Sequence, residues 1–378
     1  MSRRPNSEPV EIPTKALLRD LDAVRPVIQR WLRDHVANSD DLQVRDVRLP
    51  SGAGVANETL LVQASLTRDG ARREAGYVVR VGADEHLFLG MNVETHYKIY
   101  DVLTREADIP SPPLVGFEPD ASLFGHPFFV MERVEGQVPA DNPSFYESGW
   151  VTELSTDERR ELWRGTVETM ARLHRLDLGK LRFLDRPHLG ATGLEQELRH
   201  WLNYAVWCGG DQLPIVRKAS DWLIANLPKD APPGFSWGDS RPPNIIYQGV
   251  RPAAVLDWDM VSLAGAECDL AWWTFMDHSH TAGVGVARPL GLGTPRETVA
   301  LWETFAGRKA VNLDWHLAFN ALRIKLVMVR LPAMLVASGQ ITPDQARQLT
   351  EKDDMQWLGG VLDAPADPYE SRWPSWDV

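Results

Sequence analysis

The sequence predicts an α+β protein of two lobes, a β-rich N-terminal lobe and a mainly helical C-terminal lobe. Three observations predict it. Strand-like stretches cluster between residues 42 and 133, helical patterns dominate from residue 134 onward, and one hairpin at 235–259 interrupts the helices. A chain of 378 residues is long enough to give each lobe a core of its own. The expected lobes are therefore 1–133, including a helical extension at 14–36, and 134–378.

The first element is a helix over 14–36. Thr14 can cap it, Leu17, Leu18, Leu21, Val24, Ile28, Trp31 and Leu32 form its apolar stripe, and Pro26 divides or kinks it. Strands follow at 42–49, 58–66 and 76–81, separated by turns at 50–54 and 68–73. A helix over 92–106 ends at Ile109-Pro-Ser-Pro-Pro113, and a strand over 127–133 closes the lobe. In the second lobe Ser155-Thr-Asp-Glu158 is a capping box, and so is Thr294-Pro-Arg-Glu297, with Pro at the first helical position. Helices are expected after the first box and at 194–205, 215–227, 295–306, 314–331 and 342–352. The Pro-rich tail after Asp363 is expected along the surface.

Composition narrows the function classes. Hydrophobic residues make up 44% and charged ones 24%, which excludes wholesale disorder. Cys208 and Cys268 are too few for a disulfide framework or a four-ligand zinc site. A net charge of -12 argues against a nucleic-acid partner and is compatible with a cationic small molecule. The basic start, Met1-Ser-Arg-Arg-Pro5, is not followed by an apolar segment. The stretch 317–331 is interrupted by Asn320, Arg323, Lys325 and Arg330, so it reads as a buried helix and not a membrane span. A cytoplasmic location is expected. The fifteen tryptophans are expected mostly in core and interlobe positions.

The chemistry concentrates in Trp237-Gly-Asp-Ser-Arg-Pro-Pro-Asn244 and Asp257-Trp-Asp259. Asp239 stands five residues before Asn244, the D-x-x-x-x-N spacing of kinase catalytic loops. Phosphoryl transfer needs an Asp to orient the attacking hydroxyl, with an Asn and a second Asp to hold Mg²⁺ on the nucleotide phosphates. Two apolar runs, Asn244-Ile-Ile-Tyr247 and Ala253-Ala-Val-Leu256, flank the turn residues 248–252. The hairpin they form brings Asn244 and Asp257 together as oxygen ligands for a hard cation. A plain polar turn explains any one of these residues but not their spacing.

The order of several motifs resembles the aminoglycoside phosphotransferase and choline kinase-like family, over residues 40–330. They are Leu49-Pro-Ser-Gly-Ala-Gly-Val-Ala-Asn-Glu-Thr59, Tyr77-Val-Val-Arg80, Glu94, Phe128-Phe-Val-Met-Glu-Arg-Val-Glu-Gly136, Leu173-His174, Trp237-Gly-Asp239, Asn244, and Leu256-Asp-Trp-Asp259 with Asp269-Leu-Ala271. The resemblance implies a two-lobed protein-kinase-like fold, ATP and Mg²⁺ as cofactors, and a small-molecule hydroxyl acceptor. Asp239 would be the catalytic base, and Asn244 and Asp257 the metal ligands. Ser51, Gly52, Gly54 and Asn57 would cover the phosphates, Arg80 would anchor them, and Glu94 would pair with Arg80. Met131, Glu132, Arg133 and Val134 would form the interlobe hinge that meets adenine. Arg241 has two readings, a γ-phosphate contact or a salt bridge to a nearby acid.

Two positions depart from the family pattern. Trp237 stands where a scaffold histidine is usual, and Arg80 where a lysine is usual, which changes donor geometry. Asp259 is a candidate near the metal or acceptor, and Asp269 a structural acid that pins the loop. His174 reads as a packed helix histidine. Asp277-His-Ser-His280 reads as part of a substrate-side loop, 277–293, in preference to a metal cluster. That loop and the segment 194–227 are expected to form the acceptor pocket. Aminoglycosides, choline, sugars, amino-alcohols and macrolides are the acceptors the resemblance implies. A nucleotide-binding pseudokinase is the alternative, motivated by Trp237 and Arg80. A protein kinase is disfavoured because Asp257-Trp-Asp replaces Asp-Phe-Gly and no Ala-Pro-Glu follows.

Overall fold

The computed structural model of the chain describes residues 20–350 except 39, 51–57, 85, 107 and 142. Helix α1, Leu21–His35, starts at Asp20, whose carboxylate accepts from the amides of Asp22 and Ala23. It runs through Pro26 and buries Val24, Ile28, Trp31 and Leu32. Beside it lies a five-stranded antiparallel sheet in the order β1-β2-β3-β5-β4. The strands are β1, Gln43–Arg48; β2, Glu58–Arg68; β3, Ala71–Val81; β4, Leu114–Glu118; and β5, Phe128–Glu132. The expected turn at 68–73 is tighter. Asp69 and Gly70 alone make it, with φ of 52° and 74°, so β2 and β3 pair over their full length. Two positive-φ residues suit the right-handed twist of the flanking strands, and Asp-Gly supplies them at low cost. Strand β4 has no counterpart in the sequence reading. Between the strands, α2, Val93–Leu103, is capped by Asn92, which accepts from Thr95 N.

The rest is helical. Its helices are α3, Trp150–Glu153; α4, Thr156–Leu173; α5, Gly193–Cys208; α6, Pro214–Ala225; α7, Ala266–His280; α8, Pro295–Ala306; α9, Leu313–Ala337; and α10, Pro343–Thr350. Both capping boxes form, at Ser155/Glu158 and Thr294/Glu297. Helix α9 continues past the expected end at 331, through Pro332. None of the described helices is long and apolar enough to cross a membrane.

The hairpin of β6, Ile245–Gln248, and β7, Arg251–Val255, interrupts the helices as expected. One core lies under the sheet against α1, and a second joins α2 and β5 to α4 and the hairpin. The third, largest one packs α5, α6, α7 and α9 together. Trp201, Trp237, Trp258 and Trp302 are fully buried across these cores. The second core carries Trp237 and Trp258 and so fixes the hairpin against the β-rich lobe.

Candidate active site

A single carboxylate shapes the loop that precedes the hairpin. Asp269, in the first turn of α7, is fully buried. Its Oδ1 accepts from Gly238 N at 2.8 Å and Ser236 Oγ at 2.9 Å, and its Oδ2 accepts from Trp237 N at 2.7 Å. His174 Nε2 lies 2.8 Å from the same Oδ2. Trp302 Nε1 donates to His174 Nδ1 at 2.8 Å. An indole N–H can only donate, so Nδ1 accepts and Nε2 carries the proton given to Asp269. Gly238 has φ 98°, and a Cβ there would stand 2.1 Å from the Met260 carbonyl oxygen, so no other residue fits the turn. Trp237 is part of the same scaffold. Its Nε1 donates to the carbonyls of Leu256 at 2.8 Å and Asp257 at 3.0 Å, tying the loop to the end of β7.

Asp239 emerges from this loop with both oxygens engaged. Oδ1 accepts from Trp272 Nε1 at 2.6 Å and Arg241 Nε at 2.8 Å, and Oδ2 accepts from Asn244 Nδ2 at 2.7 Å. Arg241 also pairs with Asp141. Burial works against its charge, but Asp239 and Asp141 outweigh that and hold the guanidinium firmly protonated. Of its two sequence readings, the salt bridge is formed. The Asn244 amide nitrogen also donates to the Asp239 carbonyl at 2.9 Å. With two acceptors to serve, the nitrogen must face Asp239, which leaves Oδ1 pointing the other way.

Asp257 follows the hairpin partner of Asn244, and Leu256 N donates to the Asn244 carbonyl at 2.9 Å. Its backbone is left-handed, φ 62°, a conformation Asp tolerates better than most side chains. Burial pushes its carboxyl up to about 7, and the nearby charges of Asp259 and Asp239 add to this. Burial also raises the Asp259 carboxyl, but the facing His96 outweighs it, with help from Arg80, and keeps Asp259 below the usual carboxylate range.

Several expectations need correction or narrowing. The Arg80–Glu94 pair does not form among the described residues. Glu94 is exposed and pairs with Lys98 at 2.7 Å, while Arg80 Nη1 donates to Thr59 Oγ1 at 2.7 Å across the β2–β3 ladder. The charge of Arg80 still bears on Asp257 and Asp259. The α2 residue that reaches the site is His96, whose Nε2 lies 3.0 Å from Asp259 Oδ1. Its sequence signal is position: Val93, His96, Ile99, Tyr100 and Leu103 form the buried face of α2, and Glu94 lies off it. Ser51, Gly52, Gly54 and Asn57 lie outside the described residues. In the expected hinge, Met131 is buried, Glu132 N donates to Pro113 O and Arg133 N to Gly76 O, each at 2.8 Å. Asp277-His-Ser-His280 is not a loop but the last turn of α7. Asp277 is committed to Arg288 and to the Tyr146 hydroxyl at 2.6 Å, and no metal cluster occurs among the described residues. Beside Arg241 a cleft is lined by Phe145, Tyr146, Trp273, Met276 and His280. The segment 194–227 contributes nothing to it, and α5 and α6 belong to the third core.

A family profile described as "Phosphotransferase enzyme family" matches residues 52–302. The chain belongs to the phosphotransferase enzyme family. Solved structures agree on the fold of this family member. An aminoglycoside phosphotransferase from Ralstonia eutropha JMP134, itself provisionally assigned, superposes with a TM-score of 0.62 at 21% identity, over 89% of this chain and 95% of that one. A thermostable mutant of aminoglycoside phosphotransferase APH(4)-Ia, in ternary complex with AMP-PNP and hygromycin B, gives 0.52 at 16% identity, over 89% and 99%. The fold is thus the two-lobed, protein-kinase-like one of aminoglycoside phosphotransferases. Curated relatives are larger. Human acyl-CoA dehydrogenase family member 11 is 29% identical over 182 residues, 47% of this chain and 22% of that protein. Probable acyl-CoA dehydrogenase IBR3 of Arabidopsis thaliana is 22% identical over 231 residues, 58% and 27%. The matched part of this family member thus spans about a quarter of the length of those relatives or less.

Proposed function

We propose that this family member is an ATP- and Mg²⁺-dependent phosphotransferase that moves the γ-phosphoryl group to a hydroxyl of a small molecule. The observation that carries the reading is the Asp239 carboxylate, held by Trp272, Arg241 and Asn244 on a loop that cannot shift without breaking the Asp269 hydrogen bonds. A base fixed in this way can accept the acceptor's proton while the acceptor oxygen bonds to the γ-phosphorus. The bridging P–O bond then breaks and ADP leaves; such general-base help is worth about 10²–10⁴-fold.

Asn244 through Oδ1 and Asp257 would hold Mg²⁺, which when bound offsets charge on the nucleotide phosphates. Arg80, half-buried on β3 with its charge bearing on Asp257, would meet the phosphates. Aminoglycosides and macrolides, the acceptor classes in the names of structural neighbours, are the first to test.

Calorimetry with AMP-PNP tests the cofactor assignment. Binding should be markedly tighter with Mg²⁺ than with EDTA, and Asp257→Ala should remove most of that difference. Equal affinity in all these conditions would contradict the metal assignment.

A further inference from the structure

In place of the Arg80–Glu94 pair, α2 meets the catalytic loop region at another point. His96 and Tyr100 lie one turn apart on its buried face, and both are almost fully enclosed. His96 Nε2 is 3.0 Å from Asp259 Oδ1. The Tyr100 ring stands edge-on to the Trp258 ring, with centroids 6.0 Å apart and planes at 89°. Trp258 packs in turn against Trp237 and Phe235. The helix of the β-rich lobe therefore rests directly on Asp257-Trp258-Asp259, the segment that would carry the metal ligand.

The His96–Asp259 contact is close but not straight: Nε2 makes no well-directed hydrogen bond despite the 3.0 Å separation. A buried imidazole nitrogen so close to a carboxylate gains from a small relative shift of helix and segment that lines the two up. Trp258, which packs against Tyr100 of the same helix, lies between Asp257 and Asp259 in that segment.

We infer that His96 is a positioning residue, which sets the Asp257–Asp259 segment for cation and nucleotide binding by holding Asp259 to α2. This inference rests on the phosphotransferase reading above. It goes beyond it by assigning the interlobe coupling to His96–Asp259, with Tyr100–Trp258 as its packed support. Residues that hold or orient a ligand from behind commonly change metal affinity or activity about 10–100-fold when removed.

The test uses His96→Leu and His96→Gln in the full chain. Leucine suits the apolar face of α2 and should fold, while glutamine keeps an N–H donor near the position of Nε2. The readout is AMP-PNP affinity as a function of Mg²⁺, by calorimetry, with thermal melting as the check on folding. His96→Leu should weaken binding in Mg²⁺ by about 10-fold or more and leave binding in EDTA within about 2-fold. His96→Gln should recover most of the loss. Unchanged Mg²⁺ dependence in His96→Leu, or an equal loss in Mg²⁺ and EDTA, overturns the inference. So does a His96→Gln variant no better than His96→Leu. Absence of Mg²⁺-dependent nucleotide binding in the wild type is a different result, which overturns the phosphotransferase reading and the inference with it.

Discussion

Three side chains converge on the Asp239 carboxylate, and one of them, Trp272, comes from a helix 33 positions along the chain. An indole donor at 2.6 Å fixes Oδ1 without adding a charge, which leaves Arg241 as the cation beside it. His316 is a buried polar group of another kind. It is buried in α9, its Nδ1 has no hydrogen-bond partner among the described residues, and burial pushes its pKa down to about 4. Unfolding returns it to about 6.5, so the unfolded chain binds the extra proton. Stability is therefore full above about pH 6.5 and is lost as pH falls toward 4, by up to about 3 kcal/mol from this one residue. His316→Phe should flatten that part of the melting-temperature profile between pH 6.5 and 4.5; an unchanged slope would show that His316 is already protonated or solvated in the fold. At this scale the chain is legible where chemistry depends on spacing, as with Asp239, Asn244 and Asp257. Trp272 is not marked by any spacing, and the helical spacing that puts His96 on the buried face of α2 does not say what that face meets, because only the packing of α2 and α7 brings the two residues to the site.

Helix α7 shows what an element can do that a motif cannot announce. Nearly every side chain from Ala266 to His278 is buried, so the helix has no polar face and no periodic apolar stripe. That is why it is missing from the sequence reading, which placed its last turn in a loop. Strand β4 escaped for a different reason. It is five residues long, half-buried throughout, and directly follows Pro112 and Pro113. Capped amphipathic elements such as α4 and α8 were readable from their boxes alone. Once folded, α7 supplies Asp269 to the catalytic loop and Trp272 to Asp239, and α9 steadies it. Arg323 of α9 stacks over Trp272 at 5.2 Å and donates to Asn320 at 2.8 Å. Asp269 is thus the joint between helix and loop. Asp269→Ala leaves the amides of Trp237 and Gly238, Ser236 and His174 without their acceptor, and should cost about 3–5 kcal/mol. Denaturant titration would measure it; a loss below about 1 kcal/mol would mean that water replaces the carboxylate and that the loop is not held this way.

At the scale of the whole molecule, the two lobes share a core that holds α2, β5, α4 and the β6–β7 hairpin, and Leu87 also packs into the core of α5, α7 and α9. The candidate base and metal ligands lie at the hairpin end of the shared core, and the charge of Arg80 on the sheet bears on Asp257. The lobe pattern was readable because strands and helices segregate along the chain. The contact between lobes was not, since Glu94 and His96 differ only in which face of one helix they occupy. The proposed phosphoryl transfer at this junction would make a demand on Asp239 that nucleotide binding does not. The most direct measurement compares wild type with Asp239→Asn, first in Mg·AMP-PNP affinity and then in transfer from Mg·ATP to an acceptor that the wild type phosphorylates. Asparagine keeps the size of the side chain and removes the base, and its NH2 leaves one of the surrounding donors without an acceptor, so thermal melting is followed alongside. The account predicts nucleotide affinity within a few-fold and transfer lower by about 10²-fold or more. Transfer retained in Asp239→Asn would contradict it, and so would a wild type that binds Mg·ATP tightly yet phosphorylates no amino-sugar, amino-alcohol, sugar or macrolide.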